Sequence, residues 1–282
     1  MPGPARHVGT TGQSQVTSAA SLLSIYDLQL RGAATLQTTA GLTIELEGPI
    51  VRASSTTESS GMVMATGLDH LTDRDWDQLI RAQVSHFQDL GQPFEWKTFS
   101  HDHPQDFLRR LECFGFSRGD AEAVMVAPGQ RVADEPGAVP PGIEVFRLRT
   151  GSDFQALAEE LGQAFGEAHD VQARAYELAV AAFPESVFVL GARTRGELVA
   201  SGRLELVAGS DFGTLWGGSV VPSWRHRGLY RALVTRRAQL ALEAGFSLLE
   251  VDALPSSQPI LERLGFAMVT ATVPYTWAPP AP

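Results

Sequence analysis

Apolar and polar positions along this chain fall into two trains of short elements, and the second train is the more regular. Residues 143–149 alternate and predict a strand. Residues 153–166 repeat Phe154, Leu157, Leu161 and Phe165 at helical spacing, and 171–183 predict a second helix. Two apolar runs, 186–192 and 198–207, flank the polar stretch 194–197 and predict a hairpin. Residues 214–221 predict a strand, and 228–244 predict a helix ended by Gly245. A buried strand over 246–253, a short helix over 257–264 closed by Gly265, and a last strand or strand pair over 266–277 complete the train. The order β-α-α-β-β-β-α-β-α-β predicts a mixed α/β unit around one sheet.

The first train repeats the end of that order. Residues 42–52 and 61–65 predict strands, 73–90 a helix, 93–99 a strand, 104–115 a helix and 121–126 a strand. The segment Phe107-Leu108-Arg109-Arg110-Leu111-Glu112-Cys113-Phe114-Gly115-Phe116 echoes Ile260-Leu261-Glu262-Arg263-Leu264-Gly265-Phe266. Both follow a strand and a polar turn, which predicts a tandem repeat. A Pro/Gly-rich stretch at 131–142 reads as the linker, so the expected units are 21–130 and 143–282. Residues 1–20 are rich in Gly, Ser, Thr, Gln and Pro, lack the apolar core of a signal peptide, and read as a disordered tail.

Composition narrows the class. The chain has 282 residues, 44% hydrophobic and 19% charged, as a globular protein does. No apolar run reaches the length of a membrane helix. The single cysteine, Cys113, excludes an intrachain disulfide and reads as a packing residue, and a reducing cytoplasm is expected. A net charge of −10 argues against nonspecific nucleic-acid binding; acidity that serves solubility is the first reading of it and a cationic small substrate the second.

The chemistry concentrates where the strand at 214–221 meets the helix at 228–244. The connecting run is Val220-Val221-Pro222-Ser223-Trp224-Arg225-His226-Arg227-Gly228-Leu229-Tyr230-Arg231. A helix N-terminus leaves its first N–H groups unpaired and partly positive. Guanidinium groups beside it make a phosphate site. At the corresponding place in the first half, 66–75, stand Asp69, Asp73 and Asp75, which repel phosphate. Neither a Gly-x-Gly-x-x-Gly nor a Gly-x-x-x-x-Gly-Lys turn occurs in a strand–helix context, which argues against other nucleotide-binding folds.

This turn, with Leu264-Gly265-Phe266 one crossover unit later, resembles the acyl-CoA site of the GNAT-type N-acyltransferase superfamily over roughly 143–278. The family's turn reads Arg/Gln-x-x-Gly-x-Gly/Ala; Arg225 and Gly228 match, and Tyr230 stands where a small residue is usual. The resemblance implies two GNAT-like halves, each a mixed, mostly antiparallel sheet flanked by helices, the first degenerate. It implies acetyl-CoA as co-substrate without a metal, and a primary amine of a small molecule or peptide as acceptor, in a monomer or homodimer. The backbone of Ser219, Val220 and Val221 would lie along the acyl arm. The turn with Arg225, Arg227, Gly228, Leu229, Tyr230 and Arg231 would hold the pyrophosphate.

An oxyanion donor is expected from a strand N–H near Val221. Many members place a tyrosine acid and an asparagine where this chain has Leu261 and Leu254. Ser257 is a candidate CoA contact or a helix cap. Glu205 and Asp252 are the candidate bases, with solvated-carboxylate roles as their alternative, and Tyr275 is a candidate acid. Trp216 and Trp224 are candidate pocket walls, with core packing the leading alternative for Trp216. The leading function is N-acetyl transfer. The alternative is a noncatalytic CoA-binding module, which the leucines at 254 and 261 favour.

Overall fold

The computed structural model describes residues 18–32, 42–55, 60–102, 106–166 and 169–280. Of the expected tail, residues 1–17 lie outside the described residues. Ser18 instead caps a helix, α1 (Ala19–Gln29), by accepting from the Ser21 N–H. The first half continues with β1 (Leu42–Glu47), β2 (Ile50–Ser55), β3 (Gly61–Ala65), α2 (Asp73–Asp89), β4 (Phe94–Phe99), α3 (Asp106–Cys113), β5 (Ser117–Arg118), β6 (Glu122–Pro128) and α4 (Gly129–Ala133). The run 42–52, expected as one strand, breaks into the β1–β2 hairpin at Gly48, whose φ of +57° a glycine adopts freely. Cys113 is exposed at the end of α3, against its expected packing role.

The second half runs β7 (Glu144–Arg147), α5 (Gly151–Phe165), α6 (Asp170–Ala182), β8 (Val187–Thr194), β9 (Glu197–Leu206), β10 (Phe212–Val220), α7 (Leu229–Glu243), β11 (Leu248–Ala253), α8 (Gln258–Arg263) and β12 (Ala267–Trp277). Its boundaries fall within a few residues of those the periodicity predicts. Thr150 and Asp153 form a capping box at the start of α5, which fixes where that helix begins.

All strands join one sheet in the order β1-β2-β3-β4-β12-β6-β11-β10-β9-β8-β7, with β5 on β12. In each half an antiparallel pair leads into a parallel one: β2–β3–β4 with α2 as crossover, and β9–β10–β11 with α7. The last strand of each half then pairs with the other half. β6 lies antiparallel on β11, β12 lies antiparallel on β4, and β6 and β12 pair together at the centre. Neither half completes its sheet with its own chain. The stretch expected to be a linker at 131–142 starts inside α4, which packs on α7 with Val132 fully buried.

Packing follows from this exchange. One face of the sheet carries α2 and α3 over Phe94, Trp96, Tyr275 and Trp277, and α7 over Met125, Leu249 and Val251. The opposite face carries α5 and α6 over Val187 and Val189, and α1 over Phe99, Val124 and Leu248. A buried ion pair crosses the junction on the α1 face: Lys97 of β4 donates to Asp252 of β11 at 2.5 Å.

Candidate functional site

β10 and β11 pair at Phe212–Leu248, Gly213–Leu249 and Thr214–Glu250, and then part. The cause lies in β10. Its register with β9 breaks between Trp216 and Ser219, where Gly217 takes a φ of +56°. A Cβ on Gly217 would lie 2.4 Å from the Tyr176 hydroxyl, and one on Gly218 would lie 2.7 Å from the Tyr230 ring. A side chain at either position would have to displace Tyr176 or Tyr230, and the positive φ of Gly217 adds strain for any other residue; the bulge bends β10 away from β11.

Buried charges brace the bulge from both faces. On the α5 side the Glu160 carboxylate accepts from Ser219 and Ser201, each at 2.8 Å, and burial raises its pKa. On the α7 side Arg237, 1% exposed, donates to the carbonyls of Arg203 (3.0 Å), Trp216 (3.3 Å) and Leu233 (3.2 Å). Gly202 lets it lie flat, since a Cβ there would be 2.8 Å from Cζ. Burial lowers the Arg237 pKa to about 10, which still leaves it charged at neutral pH.

The turn after β10 ends in an open helix start. Pro222–Trp224 form one short turn, His226 takes a φ of +63°, and Gly228 a φ of +85° as N-cap of α7. No side chain caps α7, so its first N–H groups face outward. The matching helix start in the first half is closed. Thr72 and Asp75 form a capping box on α2, and the hydrogen bonds from Thr72 hold Asp75 below the usual carboxylate range. Arg110 pairs with Asp73 at 2.6 Å. The place where β3 and β4 part is lined by Ala65, Leu68, Trp96, Thr98 and Phe107 around a cavity of about 10 Å³, room for roughly one water.

The sequence-predicted residues divide between these places. Ser219, Val220, Val221, Arg225, Arg227, Gly228, Leu229, Tyr230, Arg231 and Ser257 gather around the gap and its turn. Arg227 is exposed with its guanidinium 4.5 Å over Trp224, and Arg231 is exposed. Arg225 ties the turn down instead: it donates to Val220 O (3.1 Å) and Ala164 O (2.9 Å). The Val221 N–H donates to Val199 O at 3.0 Å, so it is not free for an oxyanion. Ladder alternation turns the Val220 N–H toward the gap instead. Ser257 Oγ donates to Leu254 O at 3.1 Å and does not cap α8.

Glu205 stands at the foot of the gap, beside Thr214, the last β10 residue paired to β11. It is 2% exposed and pairs with Arg203 at 3.0 Å. Arg203 lies 4.3 Å over the Tyr176 ring and 5.8 Å over Trp216. Trp216 is half-buried and walls this side, while Asp252 is held by Lys97. Tyr275 lies in the first-half core opposite Trp96 and is not brought to the gap. Sequence reasoning missed Glu160, Tyr176 and Arg237. A glutamate and an arginine at core-facing positions of their helices are the signals that mark two of them.

Residues 154–266 match the acetyltransferase (GNAT) family model. No curated protein matches the sequence. Solved structures share the fold across nearly the whole chain. A GCN5-related N-acetyltransferase from Kribbella flavida superposes with a TM-score of 0.68 at 15% identity, covering 94% of this chain and 97% of its own. A tandem GNAT protein of the clavulanic acid biosynthesis pathway gives 0.61 at 15% identity, covering 86% of each chain. A GCN5-related N-acetyltransferase from Sphaerobacter thermophilus gives 0.61 at 17%, covering 84% and 83%. No helix among the described residues is long and apolar enough to cross a membrane.

Proposed function

We propose that this chain, whose residues 154–266 carry an acetyltransferase (GNAT) family domain, moves an acetyl group from acetyl-CoA to a primary amine of a small molecule or peptide. The observation that carries this is the uncapped start of α7 beside the gap between β10 and β11. Seated there, the pyrophosphate meets the N–H groups of α7 and the guanidinium groups of Arg227 and Arg231. The acyl arm extends back along Val221, Val220 and Ser219 toward the bulge. The self-capped α2 and the plugged β3–β4 gap leave the first half without such a site.

The amine attacks the thioester carbonyl carbon, a C–N bond forms, the C–S bond breaks, and thiolate leaves. The Val220 N–H points at the oxygen that gains charge. The amine arrives protonated, so a base must take its proton. Of the three candidates, Glu205 is the one beside the gap. Asp252 is spent on Lys97, and Tyr275 faces the other core. Glu205, Glu160, Tyr176 and Trp216 give the α5–α6 side an acidic, aromatic lining that suits a cationic amine. Release of CoA thiol from acetyl-CoA in the presence of a panel of primary amines tests this. Amine-dependent thiol release supports it.

A noncatalytic CoA-binding module is the second reading, favoured by Leu261, which is fully buried and carries no proton. CoA binding with no thiol release from any amine supports that reading instead.

A further inference from the structure

The gap between β10 and β11 is flanked by a tyrosine, Tyr230, that the mechanism above leaves idle. Tyr230 sits on the first turn of α7. Its ring lies against Gly218 of the bulge, and its hydroxyl reaches the Ser257 side chain at the start of α8. It therefore spans the opening of the gap. Seven residues on, two turns along the same stripe of α7, stands Arg237. Its hydrogen bonds among the described residues go to carbonyl oxygens, and no carboxylate among them pairs with it. A buried cation satisfied only by carbonyls is costly, and it leaves its charge to act on neighbouring groups.

We propose that Tyr230, backed by the charge of Arg237, is the proton donor to the departing thiolate. This rests on the acyl-transfer reading of the site. A thioester laid from the turn along β10, its carbonyl at the Val220 N–H, runs beside the Tyr230 side chain, whose ring lies against Gly218. The usual donors are missing nearby: Leu254 and Leu261 carry no proton, and Ser257 spends its own on Leu254 O. Burial raises the Tyr230 pKa, which keeps the hydroxyl protonated, while Arg237 and Ser257 act against that rise. As the C–S bond breaks, the electron pair stays on sulfur and the Tyr230 proton moves to it. The phenolate formed faces the Arg237 charge and regains a proton from solvent, which receives the one the amine loses. The sum is amine plus acetyl-CoA giving amide plus CoA thiol.

This also explains the bulky residue in a turn that otherwise favours a small one. Tyr230 places a hydroxyl beside the gap where a glycine would place none.

The test uses free CoA as probe and needs no acceptor. The thiol of CoA bound to the full-length protein is titrated by thiolate absorbance, with affinity measured alongside by calorimetry. A phenol donor and a cation both favour thiolate, so the bound thiol should ionise at least about one pH unit below free CoA. Tyr230→Phe keeps the ring on Gly218 and the backbone N–H groups of α7, and should return the titration toward that of free CoA in a protein that still binds CoA. Arg237→Met should move it the same way, and Arg237→Lys should restore it. Where Arg237→Met does not fold, Tyr230→Phe decides. A Tyr230→Phe protein that binds CoA and titrates as the wild type does overturns the assignment. Failure of the wild-type protein to bind CoA overturns the acyl-transfer reading itself.

Discussion

Gly228→Glu separates phosphate binding at the turn from the stability of the turn. Gly228 has a φ of +85°, and a Cβ there meets nothing within 4 Å. The structural cost is therefore conformational, roughly 1 kcal/mol for a non-glycine residue in the left-handed region. That lowers the melting temperature by about 2 °C for a chain of this size. The cost to CoA is larger. A carboxylate about 5 Å from the pyrophosphate repels it by about 1–3 kcal/mol across effective dielectric constants between surface and bulk water. Crowding of the open N–H groups of α7 adds lost charge-assisted bonds of about 1.5–3 kcal/mol. The sum exceeds about 2 kcal/mol, a loss of at least roughly 30-fold in affinity. Calorimetry with acetyl-CoA and thermal unfolding are run on the wild type, Gly228→Glu and Gly228→Ala. The alanine variant shares the backbone strain without the charge and should stay within a few-fold of wild type. A folded Gly228→Glu protein that binds acetyl-CoA as tightly as wild type would refute this placement of the pyrophosphate.

Three further predictions follow from the fold. Asp252→Asn leaves Lys97 buried without its anion and should cost about 3–5 kcal/mol, read by denaturant unfolding, whereas Asp252→Leu with Lys97→Met should recover most of it. Glu250 is buried among Asp252, Lys97 and Glu122, and burial, then Asp252, raises its pKa well above the ordinary value. Its contribution to stability is present below the ordinary carboxylate value and is lost as pH rises from there through the raised value, so Glu250→Gln should flatten the decline in melting temperature over that interval. An unchanged slope would show that Glu250 does not ionise in that window. Asp75→Ala uncaps α2 but leaves the β3–β4 gap filled by Leu68, Trp96 and Phe107, so calorimetry should still count one acetyl-CoA per chain.

The second half is legible in the sequence because its signals are local. Helical spacing of Phe154, Leu157 and Leu161, the capping residues Thr150 and Asp153, and the glycines at 228, 245 and 265 mark its elements directly. The strand exchange is not legible, because β6 and β12 carry the same apolar alternation whichever partner they take, and pairing between distant segments leaves no local mark. The likeness of 107–116 to 260–266 leads to the expectation of a repeat and carries no information on which last strand pairs with which half. α1 is missed because Leu22, Leu23 and Tyr26 follow a tail without periodicity. At the site, the basic turn is visible as residues, but Arg225 is diverted to Val220 O and Ala164 O by contacts that only the fold brings together. The bulge is written in Gly217-Gly218, yet its bracing depends on Glu160, 59 residues from Ser219, and Arg237, 21 residues from Trp216.

One acetyl-CoA site per chain, at the open start of α7, is tested most directly by calorimetric titration of the full-length protein with acetyl-CoA. A stoichiometry of one that disappears in Gly228→Glu is the predicted result. Two sites per chain, or one site that survives Gly228→Glu in a folded protein, would contradict it.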